Sequence, residues 1–388
     1  MLPPLAFTIQ IALNGFLVEE DVRLQTPFGA LVREWNTTAL LLDARTHLVM
    51  KLKDLAAELG LSQTTVSRAL NGFPEVNEAT RQRVNEAARR LGYRANVSAQ
   101  RLATGRAGAI GVALPLQRSQ HFGPHTAEFL SGIGERLAQY EIDIVVTPLD
   151  VDDEIPLYRR LAASKRVDAV VLSAPTPDDK RIAALTELGM PFFVHGRCEV
   201  PIPHAWLDID NEGAFRRATS HLIDLGHRRI AMINGPVDQT FAIHRDRGFR
   251  AAFAAHGLTP DPALIAGGGF TDENGFRLAQ AFLERTPRPT AFLAGSMMTA
   301  LGVFRAIRLA GFELGKDVSM IAHDDVFPYL NADNMVPSMS TTRSSIRAAG
   351  ARIAELLLQM QEGKPPASIH ELWPVELVLR ESTGPAPK

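Results

Sequence analysis

Three polar side chains within six residues are spaced to read a nucleic acid. Gln63 and Thr64 are adjacent, and Arg68 follows four residues after Thr64, so a helix carries all three on its outer side. Glutamine makes a paired hydrogen bond with adenine, arginine does the same with guanine, and a threonine methyl contacts thymine. We therefore expect these three residues to read base edges in the major groove.

A second set of short polar side chains surrounds the first. Side chains of this kind bind phosphate oxygens or cap helices, which fixes the register of a protein on DNA without reading its sequence. At any single position the alternative is an ordinary exposed polar residue, and it is their grouping that favours DNA. The candidates for the DNA backbone are Ser62, Thr65, Ser67, Asn71 and Asn77.

The elements that must position these residues are short helices. Apolar residues at spacings of three and four predict a first helix that ends at Gly60, a second from Gln63 to Leu70 capped by Ser62, and a third from Glu78 to about Leu91 capped by Asn77. Two short helices joined through a glycine turn form a helix-turn-helix, whose second helix enters the major groove. The predicted core of this all-α head comprises Leu52, Leu55, Ala56, Leu59, Val66, Ala69, Leu70, Val84, Ala87, Ala88 and Leu91.

The charge of the chain is unevenly distributed. Residues 50–106 contain ten Lys or Arg and five Asp or Glu, whereas the whole chain has a formal net charge of −2. The segment therefore carries about +5 and the remainder about −7. A solvated surface is the ordinary explanation for such an excess, but a basic module on an acidic body also fits binding of the module to a polyanion.

Three sequence segments in and after this module resemble the N-terminus of the lactose-repressor (LacI/GalR) family: LKDLAAELGLSQTTVSRALNG, VNEATRQRVNEAARRLGYRAN and SAQRLATG. The resemblance extends over essentially all of residues 50–380. It implies a homodimeric, ligand-controlled transcription regulator, most simply a repressor of sugar-utilisation genes, that binds a pseudo-palindromic operator in double-stranded DNA. The effector implied is a sugar or a sugar derivative, although the family also has purine-binding members.

The resemblance also implies a hinge helix at residues 96–106 that folds on operator DNA. In this family the hinge residues contact the minor groove, and here they are Asn96, Ala99 and Leu102. The leucine wedges between base pairs, and the extra surface that bent DNA contacts offsets the cost of the kink. Ala95 stands where many relatives have proline, so the entry to this hinge is less rigid than theirs.

The remainder of the chain, residues 107–388, alternates strand-like apolar runs with amphipathic helices such as Glu128 to Gln139 and Arg245 to His256. This βαβ rhythm predicts parallel sheets flanked by helices, and it restarts midway, which indicates two doubly wound lobes. The body also resembles a periplasmic sugar-binding protein, as the core of the lactose-repressor family does, and this resemblance implies the same fold. We assign residues 107–206 with 341–366 to one lobe and residues 207–340 with 367–388 to the other.

Ligands bind such sheets in the cleft at the carboxyl ends of their strands. By matching the family's motifs, Arg245 is the ligand-gripping arginine, Phe270 the aromatic that stacks on the effector, and Asp324 the acid that accepts hydroxyl protons. Ser296 stands where relatives often have asparagine, and Met297 where they often have aspartate, which argues against the best-known sugars of the family. The residues expected to complete the effector site are Phe122, with His121 beside it, and Arg197.

The same residues have plain structural alternatives. A phenylalanine is usually a core residue, an aspartate after a strand often caps a helix, and an arginine in a helix usually forms a surface ion pair. A hydrolytic triad is a further reading of four side chains, namely His195, His323, Asp324 and Ser296. We discount it, because no nucleophile-elbow or phosphate-loop motif accompanies them. We therefore expect no enzyme activity, no catalytic residues, no metal and no cofactor. The alternatives are a solute-binding protein and a sugar-acting enzyme.

Length and composition bound the remaining possibilities. The 388 residues predict two or three domains, and no apolar run approaches the roughly 20 residues of a membrane span. The single cysteine, Cys198, has no cysteine partner, so we expect neither a disulfide scaffold nor a zinc finger, and a cytoplasmic location. Residues 1–49 match no module and precede Met50, so we interpret them as an N-terminal extension that arises from start-site assignment.

Overall fold

The computed structural model describes residues 50–93, 105–115, 123–149, 153–324 and 326–388. The chain divides into two compact units, one ending at Val97 and the other beginning at Ser98. The predicted N-terminal extension, residues 1–49, lies outside the described residues, as do the predicted minor-groove residues Asn96, Ala99 and Leu102. No described helix is both long and apolar enough to cross a membrane.

Within residues 50–93, the first unit forms a bundle of three helices, α1 (Leu52–Leu59), α2 (Gln63–Leu70) and α3 (Glu78–Arg90). Gly60 ends α1 with a left-handed backbone, at a φ of 63°, which glycine adopts without the steric cost that a side chain would bring. The inward residues of the three helices form one small core, comprising Leu55, Ala56, Val66, Ala69, Val76, Val84, Ala87 and Ala88. The sequence-based prediction of a helix-turn-helix head is confirmed.

Side-chain caps begin two of these helices, as predicted. Ser62 Oγ accepts a hydrogen bond from the Thr65 backbone N–H at 3.0 Å, and Asn77 Oδ1 accepts one from the Thr80 N–H at 2.8 Å. Such caps satisfy backbone donors that have no partner inside the helix. They fix where α2 and α3 start, and α3 ends one residue before the predicted Leu91.

The described residues of the second unit form two six-stranded sheets. In the first, the order is β11-β5-β4-β3-β1-β2, and all neighbouring strands are parallel. Its strands are β1 (Ala109–Pro115), β2 (Asp143–Leu149), β3 (Ala169–Ser173), β4 (Phe192–His195), β5 (Ala205–Ile209) and β11 (His370–Trp373). Helices α4 (Pro124–Leu137), α5 (Ile155–Ser164), α6 (Lys180–Glu187) and α11 (Ile346–Gln361) cover both faces.

The second sheet has the order β12-β10-β9-β8-β6-β7, parallel except for the edge strand β12, which runs antiparallel to β10. Its strands are β6 (Ile230–Asn234), β7 (Ile265–Gly267), β8 (Ala291–Ala294), β9 (Ser319–Asp324), β10 (Ser340–Arg343) and β12 (Glu376–Val378). Its helices are α7 (Asn211–Asp224), α8 (Thr240–Ala255), α9 (Asp272–Leu283) and α10 (Met297–Leu309). The two doubly wound lobes predicted from the sequence are therefore present.

The boundaries between the lobes differ from the predicted ones. All of β5 belongs to the first sheet, so the first crossing lies at residue 210 rather than after 206. All of β10 belongs to the second sheet, and β11 returns to the first, so the other crossings lie at residues 344–345 and 374–375. The strand to which each strand is hydrogen-bonded decides which sheet it joins, and the local sequence pattern does not reveal that partner.

Candidate functional site

The predicted base-reading residues lie together on the outer side of α2. Gln63, Thr64 and Arg68 are exposed, whereas Val66 and Ala69 on the opposite side of the same helix are buried. Within residues 50–93, none of the three exposed side chains forms a hydrogen bond or an ion pair. The helix therefore presents a paired amide, a hydroxyl and a guanidinium to solvent, the donor set that major-groove recognition uses.

The residues predicted for the DNA backbone mostly organise the helices. Ser62 and Asn77 are the caps of α2 and α3, and the hydroxyl of Thr65 lies 2.8 Å from that of Ser62. Asn71 Nδ2 donates to the Ser67 carbonyl at 2.9 Å. Capping was one of the two roles expected for this set, and contact with phosphates stays a prediction.

The second unit contains a cavity of about 500 Å³ between its lobes, within the range of small-molecule sites. Its wall is built at the carboxyl ends of the strands of both sheets, where doubly wound folds bind ligands. The N-terminal turns of α4 and α8 complete it. The lobes contact each other beside the cavity, since the Thr240 N–H donates to the Pro175 carbonyl at 2.9 Å and Arg247 pairs with Glu199 at 3.4 Å.

Arg245 lies on the cavity wall in α8, which begins at Thr240, five residues before the predicted start. The side chain is buried. Its Nε donates to Asn211 Oδ1 at 2.7 Å, and its Nη1 donates to the Gly295 carbonyl at 2.8 Å. These bonds hold the guanidinium plane in one orientation, which is the condition for directional hydrogen bonding to a ligand.

Phe270 also lines the cavity, as expected from the sequence. Its ring stacks on that of His125 from the other lobe, with the centroids 5.4 Å apart, and it lies 5.8 Å from the ring of Phe241. The Arg245 guanidinium lies 5.0 Å from the Phe241 centroid and 6.0 Å from that of Phe270. The two predicted residues thus meet in one aromatic and cationic corner of the cavity.

Three other predicted effector residues do not line the cavity. Ser296 Oγ caps α10 by accepting from the Thr299 N–H at 3.1 Å, and Asp324 Oδ1 accepts from the Val326 N–H at 2.7 Å. The aspartate therefore stabilises a turn in its own loop and does not cap a helix, and its contact with the effector stays a prediction. Met297 belongs to the core, and it is Met298 that reaches the wall. Phe122 and His121 lie outside the described residues.

Arg197 is the third predicted residue that does not line the cavity. It lies behind Asp208, a wall residue that the sequence analysis did not identify. Asp208 is on the wall and is buried. Its Oδ2 lies 3.1 Å from Arg197 Nε, and its Oδ1 accepts from the Ile209 N–H at 2.8 Å and from Asn211 Nδ2 at 3.3 Å. Burial raises the pKa of Asp208 to about 6, against the lowering effects of the Ile209 N–H and the Arg197 charge.

The first lobe contributes a second charged pair that was missed. Arg181 and Glu154 both line the cavity, and Arg181 Nη1 donates to Glu154 Oε1 at 3.0 Å. The same guanidinium binds Asp179, with Nε to Oδ1 at 2.9 Å, and the phenol of Tyr158 donates to Glu154. Asp179 has a lowered pKa, because hydrogen bonds and charge from Arg181 outweigh its burial. Two carboxylates therefore already neutralise this arginine.

Comparison with known proteins decides the family. Residues 51–96 match the profile of bacterial regulatory proteins of the lacI family, and residues 107–371 match that of periplasmic binding proteins and the sugar-binding domain of the LacI family. The chain belongs to the LacI family. Its head and its two-lobed body correspond to the two parts of that family, so it is a DNA-binding transcriptional regulator.

Relatives of this LacI-family chain align with it over most of its length and over almost all of theirs. The HTH-type transcriptional regulator AglR of Rhizobium meliloti (strain 1021) is 50% identical over 341 residues, covering 87% of this chain and 95% of AglR. RafR of Escherichia coli is 34% identical over 330 residues, covering 84% and 96% respectively. These relatives are transcriptional regulators and not enzymes.

Solved structures agree with this assignment. The lac repressor dimer bound to operator and the anti-inducer ONPF superposes with a TM-score of 0.71 at 27% identity, over 86% of this chain and 99% of that one. The regulator CelR in complex with cellobiose gives a TM-score of 0.62 at 30% identity, over the same two shares. The proteins with a similar fold therefore include one solved in complex with operator DNA and one solved in complex with a sugar.

Proposed function

We propose that this LacI-family regulator is a homodimeric repressor of sugar-utilisation genes that binds a pseudo-palindromic operator through two copies of its head. The observation that carries the proposal is the presence, in one chain, of a solvent-facing recognition helix and a cavity lined by both lobes. The lac repressor, which shares the fold, was solved as a dimer on its operator, and this supports the same assembly here. Since its target is chromosomal DNA, we place the protein in the cytoplasm.

For DNA recognition, we propose that Gln63, Thr64 and Arg68 read bases and that the caps and hydroxyls around α2 also contact phosphates. The hinge residues Asn96, Ala99 and Leu102 complete the interface as the family resemblance implies, in the minor groove. For the effector, we propose a sugar or a sugar derivative held by Arg245 and Phe270. The cellobiose complex of CelR supports this ligand class. Arg197, Ser296 and Asp324 support the wall from behind, and no cofactor takes part.

The proposed mechanism rests on the difference in ligand affinity between two arrangements of the lobes. A ligand that contacts both walls favours the arrangement in which the cavity is closed, by as much as it binds that arrangement more tightly. In a dimer, such a shift changes the separation of the two hinge segments and hence operator affinity. The coupling is reciprocal, so an effector that weakens operator binding is itself bound more weakly by the operator complex.

Replacing Arg68 by alanine is expected to relax sequence discrimination more than it weakens binding to all DNA. Loss of a paired contact to guanine costs about 1–3 kcal/mol at that base pair in each half-site. Fluorescence anisotropy with the operator and single-base variants, at one salt concentration, measures this. Arg89→Ala is the matched control, because it removes an exposed arginine from α3. If both variants lose affinity equally for every sequence, Arg68 contacts phosphate and not a base.

The proposed function itself is tested with DNA from the gene's own locus. The full-length protein should bind one fragment with a steep dependence on salt, because phosphate neutralisation releases counterions. A sugar should then change that affinity. If no fragment is preferred, with or without sugars, the proposal fails.

The two rival functions are separated by simple measurements. A pure solute-binding protein would bind sugar without any DNA preference. A sugar-acting enzyme would turn over a candidate sugar, and catalysis that disappears in Asp324→Asn would place the protein in that class. We propose that neither is found.

A further inference from the structure

The first lobe carries a concentration of positive charge that lies outside the head. Residues 159–166 read RRLAASKR and contain four cations and no acid, in a chain whose formal net charge is −2. The four side chains are exposed, and none forms a hydrogen bond or an ion pair with the part of the chain that the structure describes. We call this set the basic stripe, and it comprises Arg159, Arg160, Lys165 and Arg166.

The fold keeps the basic stripe at the surface. The opposite side of α5 is buried in the core of the lobe through Leu157, Tyr158 and Leu161, so Arg159 and Arg160 face solvent. Cations stabilise a helix through its dipole only near the last turn, and the last turn of α5 contains no basic residue. Stabilisation of the helix therefore does not account for Arg159 and Arg160, and a partner outside the chain does.

The basic stripe ends in a groove at the amino-terminal ends of β1, β2 and β3. Lys165 and Arg166 line this groove together with Arg106 and Asp143. The three strands begin side by side there, since the Asp143 N–H donates to the Gly108 carbonyl at 2.9 Å. The cavity between the lobes lies at the carboxyl ends of the strands. The groove is therefore at the opposite end of the first sheet from the cavity.

The charge of this edge stays positive when its acids are counted. Arg106 raises the number of cations from four to five, and the carboxylates at the starts of β2 and β3 are Glu141, Asp143 and Asp168. The edge then has a formal charge of +2. The Asp168 carboxylate already accepts from the Ala107 N–H at 2.6 Å and from the Gly108 N–H at 2.7 Å. An excess of exposed cations at one edge of an acidic body fits a polyanionic partner.

The chain from the head enters the second unit at the same groove. Gly105 lines it, and eleven residues, 94–104, join Gly105 to Tyr93, the last described residue of the head. A fully extended chain spans at most about 3.6 Å per residue, so this segment bridges no more than roughly 40 Å. A duplex has one phosphate charge per about 1.7 Å of its axis, which gives more than about 20 phosphates over that length. DNA held by the head is therefore the polyanion that the covalent connection keeps near the basic stripe.

We propose that the basic stripe binds the phosphate backbone of the DNA to which the head binds. The first lobe then adds a contact of its own to the complex, beside those of the head and the hinge. The inference rests on the proposed function, since the head must hold the DNA. Arginine and lysine bind phosphate through charge-assisted hydrogen bonds, and such contacts carry no information about base sequence. The basic stripe therefore raises affinity for operator and for other DNA by the same factor.

The first experiment removes the charge of the basic stripe and measures the salt dependence of binding. Fluorescence anisotropy of the full-length protein uses an operator duplex and a scrambled duplex of the same length, between 50 and 200 mM salt. Loss of one phosphate contact per protomer lowers the slope of log affinity against log salt by about 2 in a dimer. The advantage of the wild-type protein should thus shrink about tenfold over this range, on both duplexes. The variant carries Arg159→Gln, Arg160→Gln, Lys165→Gln and Arg166→Gln.

The matched control removes the same number of exposed cations from the second lobe, with Arg216→Gln, Arg277→Gln, Arg285→Gln and Lys316→Gln. Both variants should keep the wild-type melting temperature, because every replaced side chain is exposed. A wild-type slope in the variant of the basic stripe, or an equal change of slope in the control, overturns the inference and leaves the proposed function standing. If the wild-type protein itself binds neither duplex, the proposed function fails.

The second experiment tests whether the basic stripe lies close to DNA. Cys198→Ser removes the only cysteine, and Ser164→Cys places one at an exposed position between the cations. An iron–EDTA reagent on this thiol releases hydroxyl radicals, which cut nearby DNA strands. We expect cuts at discrete positions of the operator duplex. The control carries the reagent at Lys316→Cys, an exposed position of the second lobe. Absence of cuts from position 164, or the same pattern from both positions, contradicts the proposed contact.

Discussion

Arg245→Ala should abolish the response to the effector while operator affinity in the absence of effector stays unchanged. The guanidinium is buried on the cavity wall and is held by Asn211 and the Gly295 carbonyl. Truncating a buried, hydrogen-bonded charge at a binding site costs about 2–5 kcal/mol, which lowers effector affinity at least about 30-fold. Calorimetry for the sugar and anisotropy for the operator measure the two affinities separately.

The control for this prediction lies two residues further along the same helix. Arg247 is exposed and pairs with Glu199 at 3.4 Å, so Arg247→Ala removes the same charge without touching the cavity wall. Arg245→Ala also leaves Asn211 Oδ1 and the Gly295 carbonyl without their donor, which costs about 1–3 kcal/mol and lowers the melting temperature. Phe270→Ala provides a second variant that keeps both bonds. If Arg245→Ala and Phe270→Ala both respond normally, the effector binds elsewhere.

The head could be predicted almost to the residue from the sequence. The bounds of α2, the left-handed Gly60 and the caps Ser62 and Asn77 all depend on interactions within four residues along the chain. Apolar spacing then decides which sides face inward, because each helix has one buried side. Local rules suffice where the structure is made of short helices around one core.

The presence of two doubly wound lobes could be predicted from the sequence, but the residues at which the chain crosses from one lobe to the other could not. Alternation of strands and helices indicates parallel sheets whatever the order of the strands. The return of β11 to the first sheet depends on its pairing with β5, and the position of β12 on its pairing with β10. His370 pairs with Trp206, 164 residues earlier, and Glu376 pairs with Arg343, 33 residues earlier, so a local pattern does not reveal these partners.

The candidate site could be predicted only where a motif marks it. Arg245 and Phe270 lie in segments that resemble the family, and the structure brings both to the wall, although their role in binding stays a prediction. Asp208, Gln239 and Arg181 carry no motif, and they become wall residues because the fold brings the end of β5 and the starts of α6 and α8 together. Ser296 and Asp324 were assigned by position in a motif, but local backbone N–H groups bind their oxygens.

Leu55→Ala should abolish operator binding and leave effector binding intact. Leu55 is fully buried in the core of the head, and deleting such a side chain costs about 2–5 kcal/mol. A domain of this size rarely has more than about 3–5 kcal/mol of stability, so most mutant heads are unfolded. The residues that line the cavity all belong to the second unit, and we therefore expect the cavity to keep its structure.

Binding to an operator multiplies the effect of Leu55→Ala, because a dimer must fold two mutant heads on one DNA site. The free energy of folding each head is subtracted from that of binding, so a deficit of about 1.4 kcal/mol per head lowers affinity about 100-fold. Anisotropy measures this loss, while calorimetry with sugar should give the wild-type affinity. Leu309→Ala is the matched control, since Leu309 is 73% exposed on α10. Wild-type operator affinity in Leu55→Ala would show that this core does not hold the recognition helix in place, whereas loss of both activities would show that the two units do not fold independently.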